Sequence, residues 1–440
     1  MLKAACLCII LTAGSSLWSQ VEPSATGGGL EDTQMMTPPP VSQDTYPVVV
    51  GAESRSNYLD GGFVFNSAYM DNLAGAQSGK PESDETYSFQ SAISIDRKTP
   101  RQGESLNYSA GFNLYQNTSQ LNAVSQNGSA DYRFHLSKYS AVVLSDAFLQ
   151  NSNLYNQANP FVAGGAPPGT VNSVQIAPFA EQIENRSSAA IYYQYARNAM
   201  VGGSGTYSFS HYANVSNEQG LNNAGSAGFT GFYSRRLASS QYIGATYQFV
   251  KYVTHPIDTY TVSKTVLVFY THYFTRSFSF SILAGPEQYT SWRRDVAKQG
   301  HWVPAVQGSV GWQQPRTNLA ATYSYTVAGA PGLAGAYHAN TAGLNGRVLF
   351  LRRWSAGVNG TYSFLKSTDS NPALFASSSG GHTITAGVDV QHPITERLTA
   401  AAGYQRLHES YENIPAIAAF PDSNRVYFSL GFGFHRPLGR

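Results

Sequence analysis

From about Gly61 to the end of the chain, apolar residues recur at every second position, and no other feature constrains the fold as strongly. A period of two puts one set of side chains on each face of a β-strand, whereas a helix would need a period of 3.6. In the last such segment, Val426, Phe428, Leu430, Phe432 and Phe434 form an apolar face, and Tyr427, Ser429, Gly431 and Gly433 form a small, mostly polar one. Tyr87, Phe89, Ile93 and Ile95 oppose Ser88, Gln90, Ala92 and Ser94 in the same way, as do Ile384, Ala386, Val388 and Val390 against Thr383, Thr385, Gly387 and Asp389. The pattern predicts an all-β protein.

A soluble sandwich alternates too, so the links between strands have to separate water from lipid as the outer medium. Short links rich in Arg or Lys fall around Arg97-Lys98, Lys138, Arg197, Arg235-Arg236, Arg276, Arg316, Arg352-Arg353 and Arg397. Between them come longer links rich in Gly, Asn, Ser and Pro, over 151–183, 213–224, 289–300, 367–380 and 411–423. Tight periplasmic turns alternating with longer outer loops are the signature of a transmembrane antiparallel up-and-down β-barrel. Eight short turns plus one strand at each end give about 18 strands, within a range of 16–18, and an even number leaves both barrel termini in the periplasm. A soluble secreted β-protein is the alternative.

Residues 1–20 read as a signal peptide: Lys3 precedes the apolar run Ala4 to Ala13, which is too short to cross a bilayer as a helix, and Gly14, Ser15, Ser16 and Ser19 follow it. Both cysteines, Cys6 and Cys8, lie in that run, so a chain cut near residue 20 has no disulfide or thiol chemistry. Residues 21–57, with Gly27-Gly28-Gly29 and Pro38-Pro39-Pro40, read as a flexible linker in the periplasm, in which Tyr46 to Val50 could add one brief strand. The barrel is assigned to 58–440. Charged residues are only 12% of the chain, against about 25% in ordinary soluble domains. A net charge of +2 without a basic stripe argues against a nucleic-acid partner.

The terminal segment Arg425 to Phe434 resembles the strand by which bacterial outer-membrane barrels are recognised for assembly, although His435 to Arg440 follow the last Phe here. With the leader and the strand pattern, 58–440 resembles the broad class of porin-like outer-membrane β-barrel proteins. That resemblance implies outer-membrane lipid and the barrel assembly machinery as partners, and carries no catalytic motif.

The chemistry-bearing residues do not gather into a reaction centre. Ser210-His211, His255 with Asp258, and His408 with Glu409 are neighbours of the kind that ten histidines among many serines produce by chance. No repeated His or carboxylate spacing suggests a metal, and no cofactor or enzymatic activity is expected. Triplets such as Asn117-Thr118-Ser119 and Asn359-Gly360-Thr361 are given no role. Tyr247, Phe249, Tyr252, Tyr270, Tyr273 and Phe274 are read as interfacial aromatic girdles, the alternative being a sugar track inside the pore. The inner face is Ser, Thr, Gly, Asn and Gln with isolated charges such as Asp131, Arg133, Arg347 and Asp389.

These features predict a passive channel for small hydrophilic solutes, the alternative being a surface or assembly component such as the barrel of an exopolysaccharide export system. Segment 151–183 is expected to be the third outer loop, folded inward to narrow the pore through Phe161, Val162, Ile176 and Phe179, with Glu181 and Glu184 near its return.

Overall fold

The computed structural model describes residues 35, 38, 57–73, 83–151, 181–213, 222–255, 258–275, 277–293, 296–329, 336–351, 353–368, 380–411 and 422–438. The signal segment, Tyr46 to Val50 and Phe161, Val162, Ile176 and Phe179 lie outside them.

The described residues form 18 antiparallel strands in one closed sheet. In chain order these are β1 (Tyr58–Met70), β2 (Asp84–Lys98), β3 (Gln102–Tyr115), β4 (Ala123–Ser137), β5 (Ser140–Asn151), β6 (Glu181–Ala196), β7 (Ala199–Ala213), β8 (Asn223–Ala238) and β9 (Gln241–His255). The second half is β10 (Thr259–Tyr273), β11 (Phe278–Arg293), β12 (Val296–Gln314), β13 (Thr317–Gly329), β14 (Ala336–Phe350), β15 (Trp354–Ser367), β16 (Gly380–Pro393), β17 (Leu398–Tyr411) and β18 (Asp422–Pro437). A 3-10 turn, Ser119–Leu121, follows β3. Each strand pairs with its sequence neighbours, and β1 also pairs with β18 from Tyr58↔Pro437 to Met70↔Arg425, which closes the barrel and removes every sheet edge.

Alternation decides which way each side chain points. On β18, Val426 and Phe428 are 57% and 47% exposed, whereas Ser429 between Phe428 and Leu430 is fully buried. The apolar set therefore faces out and the small polar set faces the lumen, as on β2 and β16. On the outer face Phe432, Phe63, Phe89 and Phe112 form a row of stacked rings across β18, β1, β2 and β3, with centroids 5.4–5.8 Å apart. This row bridges the seam where first and last strands meet, and each such pair adds about 0.5–1.5 kcal/mol beyond its buried area.

All eight short turns fall at the Arg- and Lys-rich stretches, at one end of the barrel together with the start of β1 and the end of β18. By the rule for outer-membrane barrels this turn end faces the periplasm and the loop end faces outward. Segment 289–300 is not a long link: β11 runs to Arg293 and β12 resumes at Val296. Strands that project above a membrane need no apolar outer face, so Arg293 and His301 sit in the ladder without the alternation that marks the lipid band. A closed barrel whose broad outer face is apolar and whose inner face is polar is the form that spans lipid with every backbone group paired, and the chain is an outer-membrane-type β-barrel.

Candidate functional site, the barrel lumen

The same parity that assigns lipid-facing residues defines the lumen wall. Asp131, Arg133 and His135 on β4, Asn345 on β14 and Thr361 on β15 point inward and are exposed, so part of the wall is open to water. Arg347 and Asp389 also point inward, as expected, and meet in a two-pronged ion pair: Nη2 donates to Oδ1 at 3.0 Å and Oδ2 at 2.9 Å, and Nη1 donates to Ser355 Oγ at 3.2 Å. Beside them Arg425 donates to Gln405 Oε1 at 3.2 Å and lies over the Tyr427 ring. The polar wall is thus cross-braced by charged side chains on β14 to β18.

The loop end is narrowed by the β13–β14 hairpin. Pairing between β12 and β13 stops at Val306↔Tyr325, while β13 and β14 stay paired to Gly329↔Ala336. Beyond that parting both faces of the hairpin are buried: Thr326 is 7% exposed, and Val327, Ala328, Ala336, Tyr337 and Ala339 are 3% or less. A wall strand has one face toward lipid or solvent, so here β13 has parted from β12 and bent inward, with β14 beside it still paired to β15 as far as Tyr337↔Ser367. Its contacts agree. Val327 N–H donates to Glu287 Oε2 at 3.0 Å, and Glu287 also accepts from Ser263 Oγ at 2.5 Å, both residues belonging to the inner face of β10–β11. Tyr289 packs with Val327, Ala336 and Val303, sets its ring edge-on to His338, and donates its hydroxyl to Thr368 O at 3.1 Å. On β9 the Tyr252 ring lies so close to Gly329 that a β-carbon there would come within 2.7 Å of it.

Two further groups tighten this mouth. Leu73, just after β1, packs inward with Met70, Tyr115 and Leu407, and is held there because Asn72 Nδ2 donates to Asp422 O at 2.6 Å and Ser423 Oγ donates to Asn72 O at 2.7 Å. Asp84 at the start of β2 accepts from Asn117 N, Thr118 N and Thr118 Oγ1, the last at 2.6 Å, and so fixes the link after β3. Tyr212 of β7, Glu184 of β6 and Glu409 of β17 also face inward at this end, and Tyr212 and Glu409 are buried.

The turn end differs in character. Met200, Phe232, Tyr242, Leu267, Phe269 and Leu283 point inward from β7 to β11 and make a continuous apolar patch. Phe269 lies across Gly244, where a β-carbon would come within 2.6 Å of the ring and 2.1 Å of the Tyr233 carbonyl oxygen. Against this patch sits Met35, from the segment ahead of β1, only 7% exposed. Of residues 21–57, expected to form a linker in the periplasm, Met35 covers this apolar surface on the inner wall.

The residues singled out in the sequence fall as follows. Val426, Phe428, Leu430, Phe432 and Phe434 form the outer face of the closing strand. Glu184 faces the lumen, whereas Glu181 points to the other face and accepts from Gln150 Nε2 at 2.7 Å. Among the girdle aromatics, Tyr247, Phe249 and Tyr270 face outward, but Tyr252 and Tyr273 occupy the opposite parity and belong to the lumen. Ser210 and His211 point to opposite faces, as do His408 and Glu409, because sequence neighbours on a strand cannot converge. His408 instead meets Asp422, at 3.1 Å, and His255 meets Asp258 at 2.7 Å on the exposed loop end. No cluster of three metal-ligating side chains occurs among the described residues.

No protein-family model and no curated protein matches the chain. Solved structures similar to it include the outer membrane protein OpdK of Pseudomonas aeruginosa, at 9% identity and a TM-score of 0.42, covering 86% of this chain and 99% of that one. OccK2 (OpdF) of the same organism, solved with glucuronate, aligns at 7% identity and a TM-score of 0.45, covering 86% and 98%. The FrpB iron transporter of Neisseria meningitidis aligns at 10% identity and a TM-score of 0.42, covering 81% of this chain, which spans 62% of the FrpB structure.

Proposed function

We propose that the protein is an outer-membrane channel for small hydrophilic solutes whose path is narrowed at the outer mouth by the β13–β14 hairpin. The observation that carries this reading is a hairpin tip buried on both faces inside a barrel whose wall exposes Asp131, Arg133, Asn345 and Thr361 to the lumen. A lumen that served only as a packed core would not keep charged and hydroxyl side chains facing water, since unpaired polar groups are costly to enclose. Nor would a wide, unselective pore fold a strand end inward against its own wall. The wall has isolated charges of both signs and no ladder of one sign, so neutral or weakly charged solutes fit it better than a single class of ion.

Purified full-length protein in a planar bilayer should give small, discrete conductance steps. A barrel that works only as a component of a larger assembly would stay closed or flicker irregularly by itself. Absence of steps from both the full-length protein and a form with the hairpin shortened would refute the channel reading.

A further inference from the structure

We infer that the outer face of β9 to β12, just above the lipid band, binds a phosphorylated sugar headgroup of the outer-leaflet lipid, through Lys251, Lys264 and Lys298 around the stacked rings of Tyr260 and Trp292. The site lies outside the lumen, so it stands or falls apart from the channel reading.

Charge is the first support. Lys251 shares its face with Tyr247 and Phe249, Lys264 with Val266 and Val268, and Lys298 with Trp302, and all three lysines are exposed. Lys251 stands opposite Val262 in the β9–β10 ladder, which makes Lys264 its diagonal neighbour, and two ammonium groups so placed repel each other. Among the described residues of β8 to β12 no outward position holds Asp or Glu, and none of the three lysines is ion-paired. On β17 and β18, by contrast, the outward Arg406 is paired with Asp422 at 2.9 Å. A concentration of positive charge with no counter-charge of its own favours an anionic partner.

The second support is the shape that the rings give this surface. Tyr260 and Trp292 stack with centroids 5.6 Å apart and planes 16° from parallel. Lys251 Nζ lies 5.5 Å from the Tyr260 centroid and Lys298 Nζ 5.1 Å from the Trp292 centroid, so one cation flanks the ring pair on each side. Cation–π contact holds each ammonium over its ring and limits the freedom of two long side chains. In the next outward row Thr290 and Gly300 lie beside Val262, and Trp302 beyond them is 67% exposed. Broad aromatic faces suit the apolar face of a sugar ring, and the flanking lysines suit its phosphates.

Height decides which partner of that chemistry meets the surface. Val266 and Val268, the next outward residues of β10 toward the turn end, are 46% and 57% exposed and belong to the lipid band. Lys264 is the first outward residue above them, with Lys251 diagonal to it, at the level where headgroups of the outer leaflet lie. A lysine at that level keeps its stem on the lipid and its ammonium among the headgroups. A soluble phosphate ion would meet the same charges but leave the ring pair uncovered. A phosphorylated sugar headgroup meets both, and its acyl chains then lie along Val266 and Val268.

Titration of the purified full-length barrel, in a neutral detergent, with diphosphoryl lipid A tests this. Binding should saturate, and should weaken about tenfold or more when Lys251→Gln, Lys264→Gln and Lys298→Gln are combined in a barrel that still migrates as folded when unheated. The matching triple substitution to Arg should keep it. Unchanged binding by the Gln triple overturns the site. So does equal binding of lipid A stripped of its phosphates, which would leave apolar packing alone. Equal, lysine-dependent binding of phosphatidylglycerol also overturns it, since the surface would then read charge without the sugar. Should the Gln triple fail to fold, Lys264→Gln alone decides by the same titration: a severalfold loss is expected, and no change overturns the site.

Discussion

Ending the β13–β14 hairpin at Tyr325 and Asn340, with an Asn-Gly turn in place of the residues between them, should raise single-channel conductance severalfold while the barrel still folds. The cut is made at the height where β12 stops pairing with β13, so the β12–β13 pairing from Val306↔Tyr325 downward is kept, as is the β13–β14 pairing from Tyr325↔Asn340, and of β14–β15 only the end pairs Tyr337↔Ser367 to Ala339↔Leu365 are given up. Asn-Gly supplies the positive φ angles of a two-residue hairpin turn. What is lost is the buried tip, with Val327, Ala328, Ala336 and Tyr337, from the inner wall of β9 to β11 at the outer mouth. The tip packs on Glu287, Tyr289 and Tyr252 of the inner wall and so takes up lumen cross-section, which its removal gives back to the path. Removing the tip also returns the Glu287 carboxylate to water, so no unpaired buried group is left to unfold the protein. Planar-bilayer recording beside a gel of unheated and heated protein checks both halves. An unchanged conductance in a folded variant would place the tip outside the solute path.

Placing a charge on the outer face should be nearly as consequential for stability. Val388 lies near the middle of β16 and is 52% exposed, an exposure that makes sense only if its surroundings are lipid. Val388→Arg is expected to cost about 2–4 kcal/mol of folding free energy in vesicles, the range for Arg or Lys at a bilayer midplane. A soluble secreted barrel would present Val388 to water, and Arg there would change stability by no more than about 0.5 kcal/mol. Urea titration of wild-type and variant protein in the same vesicles measures the difference. A near-zero shift would return the chain to the soluble alternative.

Much of this architecture was legible in the sequence because parity is a strict rule. Once Phe428 and Leu430 are outward, Ser429 has no choice, and the same holds across β2 and β16. The short turns were legible for a different reason: basic residues mark the turn end at all eight positions, whatever the strands between them contain. Where reading failed, the local pattern carried less. Tyr252 and Tyr273 look like any girdle tyrosine until they are counted against Ile243 and Tyr247, which places them in the lumen. The β13–β14 tip reads as a Gly- and Ala-rich loop, and its signal is subtle: from Val327 to Gly329 and at Ala336 both parities are small and apolar, as suits a strand pair with no solvent face. A similar sign marks the patch under Met35. Val266-Leu267-Val268-Phe269 is apolar on both faces, although only Val266 and Val268 meet lipid. The partner of Leu267 and Phe269 could not be found this way, because Met35, one of two adjacent methionines in a Pro- and Gly-rich segment, has no period to betray it.

The most direct test of the account is whether solutes pass through this lumen, and one introduced thiol can answer it. Thr361 lies midway along β15, points inward and is exposed, and the adjacent Tyr362 points to lipid. Current should be recorded through single Thr361→Cys barrels while a charged methanethiosulfonate reagent is added. The account predicts a discrete fall in unit current as the thiol reacts and its return on reduction, with no such fall for Tyr362→Cys. A steady current through barrels in which Thr361→Cys is fully labelled would show that the conducting path is not the one described.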